Sequence, residues 1–231
     1  MEKRKLAIVT GASGNLGRAV VKKFLDNGCT VIGIVHKKGE TEDLSNDHYE
    51  EVTADLVNEN DAEKAITDVV EKYGTIDIAV LTAGGFAMGD IESTKMAAIH
   101  QQLQLNFLTA YNIARPVFLQ MMKQNAGRIF LTGSQAGLNT SQAKGVTAYG
   151  LSKSLLFNLA KIMNAESKGK NVVTAMIVPG IIDTPQNRKS MPTADFSGWT
   201  TAAQIADVIS FYSSNEGAVI REPIIKVYNN M

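Results

Sequence analysis

Leu6-Ala7-Ile8-Val9-Thr10-Gly11-Ala12-Ser13-Gly14-Asn15-Leu16-Gly17-Arg18-Ala19-Val20 sets a short apolar run directly against a loop of small residues and then an amphipathic stretch. A run of this length, spanning residues 5–10, predicts a buried strand. Behind the loop, Leu16, Ala19, Val20 and Phe24 recur at helical spacing until Gly28, and residues 30–35 turn apolar again. The order is strand, loop, helix, strand. Small residues in such a loop let the backbone approach a pyrophosphate, and the unpaired N–H groups and dipole of the helix N-terminus favour its negative charge. Gly11, Ser13, Asn15, Leu16 and Gly17 are therefore the expected contacts of a dinucleotide.

Working outward, the alternation continues. Strands are predicted over 49–53, 76–82, 127–132, 171–178 and 224–228. Helices are predicted over 59–73, 96–122 and 202–213, with another carrying Tyr149. Residues 62, 65, 66, 69 and 70 face inward in the first of these. Alternating strands and helices imply an α/β, Rossmann-type doubly wound parallel sheet of about seven strands with helices on both faces. Residues 1–231 read as one domain. Ligands of such sheets bind beyond the carboxyl ends of the strands, which selects the loops after residues 10, 35, 53, 82, 132 and 178.

The totals narrow the partners. Lysine plus arginine (23) balance aspartate plus glutamate (23), so there is no electrostatic footprint for nucleic acid or an acidic membrane. A small-molecule substrate is the expected partner. A single cysteine, Cys29, precludes an internal disulfide and a cysteine-rich metal site and suits a cytoplasmic setting. The apolar run after the charged residues 1–5 is too short for a signal peptide or membrane span. His36, His48 and His100 are scattered, and no metal is expected.

In Ala148-Tyr149-Gly150-Leu151-Ser152-Lys153, a tyrosine and a lysine stand four residues apart at the start of a helical pattern. That spacing puts both on one face. An ammonium beside a phenol favours its ionised form, so the pair can exchange a proton closer to neutral pH.

Several separated motifs resemble, in order and over nearly the whole chain, those of the short-chain dehydrogenase/reductase family. Thr10 to Gly17 resembles its cofactor loop, Asp55-Leu56 its adenine contact, and Ala83-Gly84 the end of its Asn-Asn-Ala-Gly turn. Pro179-Gly180-Ile181-Ile182-Asp183-Thr184 resembles the segment whose threonine meets the nicotinamide carboxamide. Asn106, Ser134, Tyr149 and Lys153 fall where the catalytic set lies. The resemblance implies that Tyr149 exchanges a proton with the substrate oxygen, Lys153 lowers its pKa and holds the ribose, Ser134 fixes the oxygen, and Asn106 links Lys153 to a water chain. It also implies pairing between subunits through the long helix and the Tyr149 helix, giving a homodimer or homotetramer.

Three departures stand out. The middle glycine of the loop comes one residue early, leaving Asn15, which is expected to take a left-handed backbone. The Asn-Asn pair is replaced by Leu81-Thr82, so a contact to the central strand is either missing or made by the Thr82 hydroxyl. The usual Asp-Gly-Gly ending is Tyr228-Asn229-Asn230.

Cofactor choice turns on the end of the second strand, where an acid would accept the ribose hydroxyls of NAD. Val35-His36-Lys37-Lys38 stands there with no carboxylate. NADP(H) is therefore favoured over NAD(H), with His36 as a contact.

A substrate lid is expected at about 184–200. It resembles the corresponding stretch of dihydropteridine reductases, as does Ala83-Gly84-Gly85-Phe86. Phe86 and Trp199 are placed to stack on a planar ring and Arg188 to attract an electron-rich substrate; the alternative is that Trp199 packs the lid onto the core and Arg188 is solvated. The expected activity is hydride transfer between NAD(P)H and a carbonyl, alcohol or conjugated substrate, with quinonoid dihydropterin as the specific alternative. A non-catalytic NAD(P)-sensing protein is the alternative from another class.

Overall fold

The computed structural model describes residues 4–44, 46–221 and 223–229. The chain runs β1 (Leu6–Thr10), α1 (Asn15–Asp26), β2 (Thr30–Val35), β3 (Tyr49–Thr53), α2 (Glu59–Tyr73), β4 (Ile78–Leu81), α3 (Met96–Gln102) and α4 (Thr109–Gln124). It continues through β5 (Ala126–Thr132), α5 (Gln135–Leu138), α6 (Thr147–Glu166), β6 (Asn171–Pro179), β7 (Ile182–Asp183), α7 (Pro185–Ser190), β8 (Thr200–Thr201), α8 (Ala202–Ser213) and β9 (Ile224–Val227). Seven strands form one sheet in the order β3-β2-β1-β4-β5-β6-β9. Every neighbouring pair in it is parallel. This is the doubly wound architecture expected, and the order reverses between β1 and β4, where such sheets form their ligand crevice.

Every residue of β1 is buried, as a strand covered on both faces must be. Alternate residues feed different cores. Leu6 and Ile8 join Ile32, Ile34 and the apolar faces of α2, α4 and α6. Ala7 and Val9 join Val31, Phe24 of α1 and Ile205 and Ile209 of α8. Asn58 caps α2 through bonds from the N–H groups of Asn60 and Asp61, and Gly74 ends it at φ 77°.

The single long helix expected over 96–122 is instead α3 and α4 joined by a π-turn, Leu103–Leu108. The turn carries Asn106, which is fully buried. A buried amide has to be bonded, and this wider turn accompanies contacts from Asn106 to a loop on the other side of the site. Leu105, Tyr111 and Leu119 remain exposed along this stretch, as do Leu151, Leu155 and Ile162 along α6. Among the described residues, no helix is long and apolar enough to cross a membrane. Of the C-terminal departure, Asn230 lies outside the described residues.

Candidate active site

The loop between β1 and α1 is a close backbone fit. Gly11 has φ +63°, and a Cβ there would lie 3.0 Å from the Ala83 nitrogen. A Cβ on Gly17 would collide with the Gly11 carbonyl, so the helix can pass this near the strand only without a side chain. Asn15 is not left-handed. It is the first residue of α1, and Gly11 makes the left-handed turn four residues earlier. Gly14 is the N-cap, no side chain bonds to the first turn, and no acid lies within it. First-turn N–H groups lack intrahelical partners, so the loop presents donors and no negative charge toward the crevice. These residues fit a dinucleotide pyrophosphate.

Threonines stand at or just past the ends of three adjacent strands, Thr10 on β1, Thr82 after β4 and Thr132 on β5, and their hydroxyls carry the hydrogen bonding on past the sheet. Thr82 Oγ1 donates to the Thr10 carbonyl at 2.6 Å, and the Ala83 N–H donates to Thr10 Oγ1 at 3.2 Å. Thr82 thus ties the end of the central strand, β4, to β1, the steadying contact that the Leu81-Thr82 departure left open. Thr132 Oγ1 donates to the Leu81 carbonyl at 2.9 Å. The Thr132 carbonyl in turn accepts from Lys153 Nζ at 2.8 Å.

Lys153 is 5% exposed, and burial lowers its pKa to about 8. Its Nζ lies 5.9 Å from the centre of the Tyr149 ring. The expectation that Lys153 lowers the phenol's pKa needs correction. Burial pushes the Tyr149 phenol above its ordinary value, and the opposing influence is a hydrogen bond with Ser134. Lys153 is instead turned toward the Thr132 carbonyl. Ser134 is buried and caps α5, its Oγ accepting from the Gly137 N–H at 3.1 Å.

Asn106 grips the loop after β4 from below. Its Oδ1 accepts from the Gly85 N–H at 3.0 Å, and its Nδ2 is within hydrogen-bonding distance of the Gly85 carbonyl (2.9 Å), Gln102 Oε1 (3.1 Å) and Ser152 Oγ (3.1 Å). Ser152 Oγ donates to the Tyr149 carbonyl at 2.8 Å. A Cβ on Gly84 would lie 2.6 Å from Asn106 Oδ1 and 3.4 Å from Lys153 Nζ, so both side chains converge beneath Gly84. Phe86 packs edge-on against Tyr149, with ring centres 5.0 Å apart, while 64% of it stays exposed.

The remaining expected contacts follow the strand ends. His36 is exposed just beyond β2, while Asp55 is exposed and Leu56 buried beyond β3. Asp55 turns its Oδ1 to the Val57 N–H, and the Leu56 carbonyl accepts from Asn112. Ala83 and Gly84 follow β4. Pro179 ends β6, the Gly180 N–H donates to the Val227 carbonyl, and the Ile182 carbonyl accepts from Asn187. The Thr184 hydroxyl caps α7 by accepting from the Asn187 N–H at 3.1 Å, ahead of Pro185 at the helix start.

For Trp199 the structure shows the packing alternative. Trp199 is 5% exposed and packs on Phe196 with ring centres 4.7 Å apart, so its bulk ties the lid down and offers no free face to a substrate. Arg188 is paired with Asp183 at 2.6 Å and lies over the Phe196 ring at 4.8 Å. A two-residue pairing of β7 with β8 closes the lid at its base.

The view that no carboxylate attends the end of β2 is also corrected. Glu40 folds back to accept from Ser13 Oγ at 2.9 Å. Four residues, 36–39, separate it from the strand end, and no local spacing rule reads such a fold-back.

Residues 5–195 match the model of the short chain dehydrogenase family. The chain belongs to that family. It is an NAD(P)-dependent oxidoreductase, the activity expected from its motifs. Among its relatives is a dihydropteridine reductase of Dictyostelium discoideum, 28% identical over 218 residues, spanning 91% of this chain and 88% of the relative. The 3-oxoacyl-[acyl-carrier-protein] reductase FabG of Vibrio harveyi is 27% identical over 238 residues, spanning 98% and 97%. Among solved structures, ElxO with NADP bound superposes with a TM-score of 0.90 at 21% identity over 97% of each chain.

The buried lysine has a consequence for stability. The native pKa of about 8 lies below the ordinary 10.5, so between those values the unfolded chain binds the extra proton. Stability should therefore rise with pH across that window. The free-energy difference in urea unfolding between the wild type and Lys153→Met should shift toward the wild type by about 3 kcal/mol from pH 7.5 to 10.5. A pH-independent difference would show that the ammonium is not buried.

Proposed function

We propose that this oxidoreductase reduces a carbonyl, or a conjugated imine or enone, using Tyr149 as proton donor. The observation that carries the proposal is the convergence of Tyr149, Ser134 and Lys153 at the carboxyl ends of β5 and α6's first turns, beside the Gly11–Gly17 loop. When bound, the nicotinamide supplies the hydride. Burial keeps the phenol protonated at neutral pH, the form needed to donate to a substrate atom gaining electron density. Ser134 donates its single hydroxyl proton to that atom as its charge develops. Lys153, its pKa near 8, is still mainly cationic at neutral pH and holds the nicotinamide ribose. Asn106 positions the Gly85–Phe86 turn and, through Ser152, the first turn of α6. Gly11, Ser13, Asn15, Leu16 and Gly17 hold the pyrophosphate by backbone donors. Asp55 and Leu56 border the adenine, and Ala83, Gly84, Pro179, Gly180, Ile182 and Thr184 surround the nicotinamide half.

A quinonoid dihydropterin is the specific alternative substrate. Supporting it are the lid sequence, the Ala83–Phe86 turn and the similarity to a dihydropteridine reductase. Phe86, exposed beside Tyr149, is the ring on which such a planar substrate stacks. NADP(H) is the favoured cofactor, on the strength of the exposed His36, Lys37 and Lys38 after β2. The protein works in the cytoplasm as a homodimer or homotetramer, joined through the exposed apolar residues of α4 and α6.

Turnover of NADPH against a panel of diketones, enones, quinones and quinonoid dihydropterin tests the activity. Tyr149→Phe should lower kcat by about 10²–10⁴-fold while the Kd for NADPH stays within about threefold. Near-normal turnover by that variant would remove Tyr149 from the mechanism. For the cofactor, fluorescence titration should give a lower Kd for NADPH than for NADH, and the reverse order would overturn the preference. Light scattering should report a dimer or tetramer, and Leu155→Glu should shift it toward monomer. A monomeric wild type would refute the assembly.

A further inference from the structure

We propose that Glu40 is a specificity-determining residue that holds down the affinity of this site for the phosphorylated dinucleotide, because its carboxylate is fixed on Ser13 of the nucleotide loop. The inference rests on the cofactor reading above and concerns a residue outside the expected contacts. Ser13 Oγ donates to Glu40 Oε2 at 2.9 Å. A dinucleotide's adenosine ribose is recognised where the β1–α1 loop meets the end of β2, the two segments that this bond joins. A carboxylate there accepts from a ribose hydroxyl and repels a phosphate in its place.

The carboxylate is not a passing surface group, since the turn that carries it is built. Glu51 of β3 accepts from the N–H groups of Gly39 (2.6 Å) and Thr41 (2.9 Å) and from the Thr41 hydroxyl (2.5 Å), fixing the residues on both sides of Glu40. The Tyr49 hydroxyl lies 2.7 Å from Thr41 Oγ1, and Tyr49 reaches it across Gly33, where any Cβ would collide with the tyrosine ring. Thr41 is consequently 1% exposed.

The cation best placed to offset Glu40 is already engaged. Arg18 Nε donates to the Ser13 carbonyl (2.9 Å), Nη2 to the Glu40 carbonyl (2.5 Å) and Nη1 to Asp43 (2.6 Å). It straps the two segments together and spends its charge on Asp43. The cations free to attract a phosphate are thus Lys37 and Lys38, which are exposed and, among the described residues, in no ion pair. Exposed charges are screened. Seating a phosphate beside Ser13 requires its hydroxyl to leave Glu40, so the preference for NADPH is smaller than the basic run alone would produce.

Binding alone tests this, with no substrate needed. Kd values for NADPH and NADH are measured by fluorescence titration on the wild type, Glu40→Gln and Glu42→Gln, each checked for a wild-type urea midpoint. Glu40→Gln keeps the size and a hydrogen-bond acceptor while removing the charge. Glu42→Gln makes the same charge change on an exposed neighbour. Glu40→Gln should tighten NADPH about tenfold, equal to about 1.4 kcal/mol, with NADH unchanged or weaker, and Glu42→Gln should leave the ratio within about twofold. An unchanged ratio in Glu40→Gln, or an equal shift in both variants, would overturn the role of Glu40 while leaving the cofactor reading in place. Failure of the wild type to bind either dinucleotide would overturn both.

Discussion

A parallel sheet must find donors for the carbonyls at its carboxyl edge, because its slanted ladder ends there and buried carbonyls are costly to leave unpaired. This chain meets the demand with the hydroxyls of Thr82, just past β4, and Thr132, at the end of β5, and with Lys153 as the last donor in the series. The same bonds that finish the sheet therefore place the site. They hold Ala83 and Gly84 against the Gly11 loop, and they bring an ammonium under Gly84. Gly137 completes the fit, since a Cβ on it would press on Lys153 Cβ at 2.7 Å.

A second set of bonds makes one unit of the loop bearing Phe86 and the helix bearing Tyr149. The first turn of α6 has no side-chain cap. Its Thr147 N–H donates instead to the Gly89 carbonyl at 2.8 Å, and the Gly89 N–H donates to Gly145 at 2.8 Å. Asn106 holds the other end of the loop at Gly85. With its loop pinned at both ends, Phe86 stays in edge contact with the Tyr149 ring while most of it remains exposed.

The two ends of the cofactor site are governed differently. Around the pyrophosphate the requirement is steric, met by glycines where backbone approaches backbone. Beyond β2, where we place the adenosine, the charges sit on a turn whose shape depends on Glu51 and Tyr49 of β3 and on Arg18 of α1. On the substrate side, the lid is anchored by Trp199, with Arg188 balanced by Asp183.

The residues alone determined the order of elements, the parallel sheet, the location of the site at its carboxyl edge, and the shared helix face of Tyr149 and Lys153. Those features follow from local periodicity, from glycine's steric freedom and from helical spacing, all of which are written in adjacent residues. Tertiary structure decided the rest. It made Asn15 a helical residue by assigning the left-handed turn to Gly11, and it broke the long helix at Asn106 so that a buried amide could bond to Gly85. It turned Lys153 toward Thr132, buried Trp199, and returned Glu40 to Ser13. Each of these depends on a contact between residues distant in sequence or across a turn, where burial and hydrogen-bond satisfaction outweigh local preference.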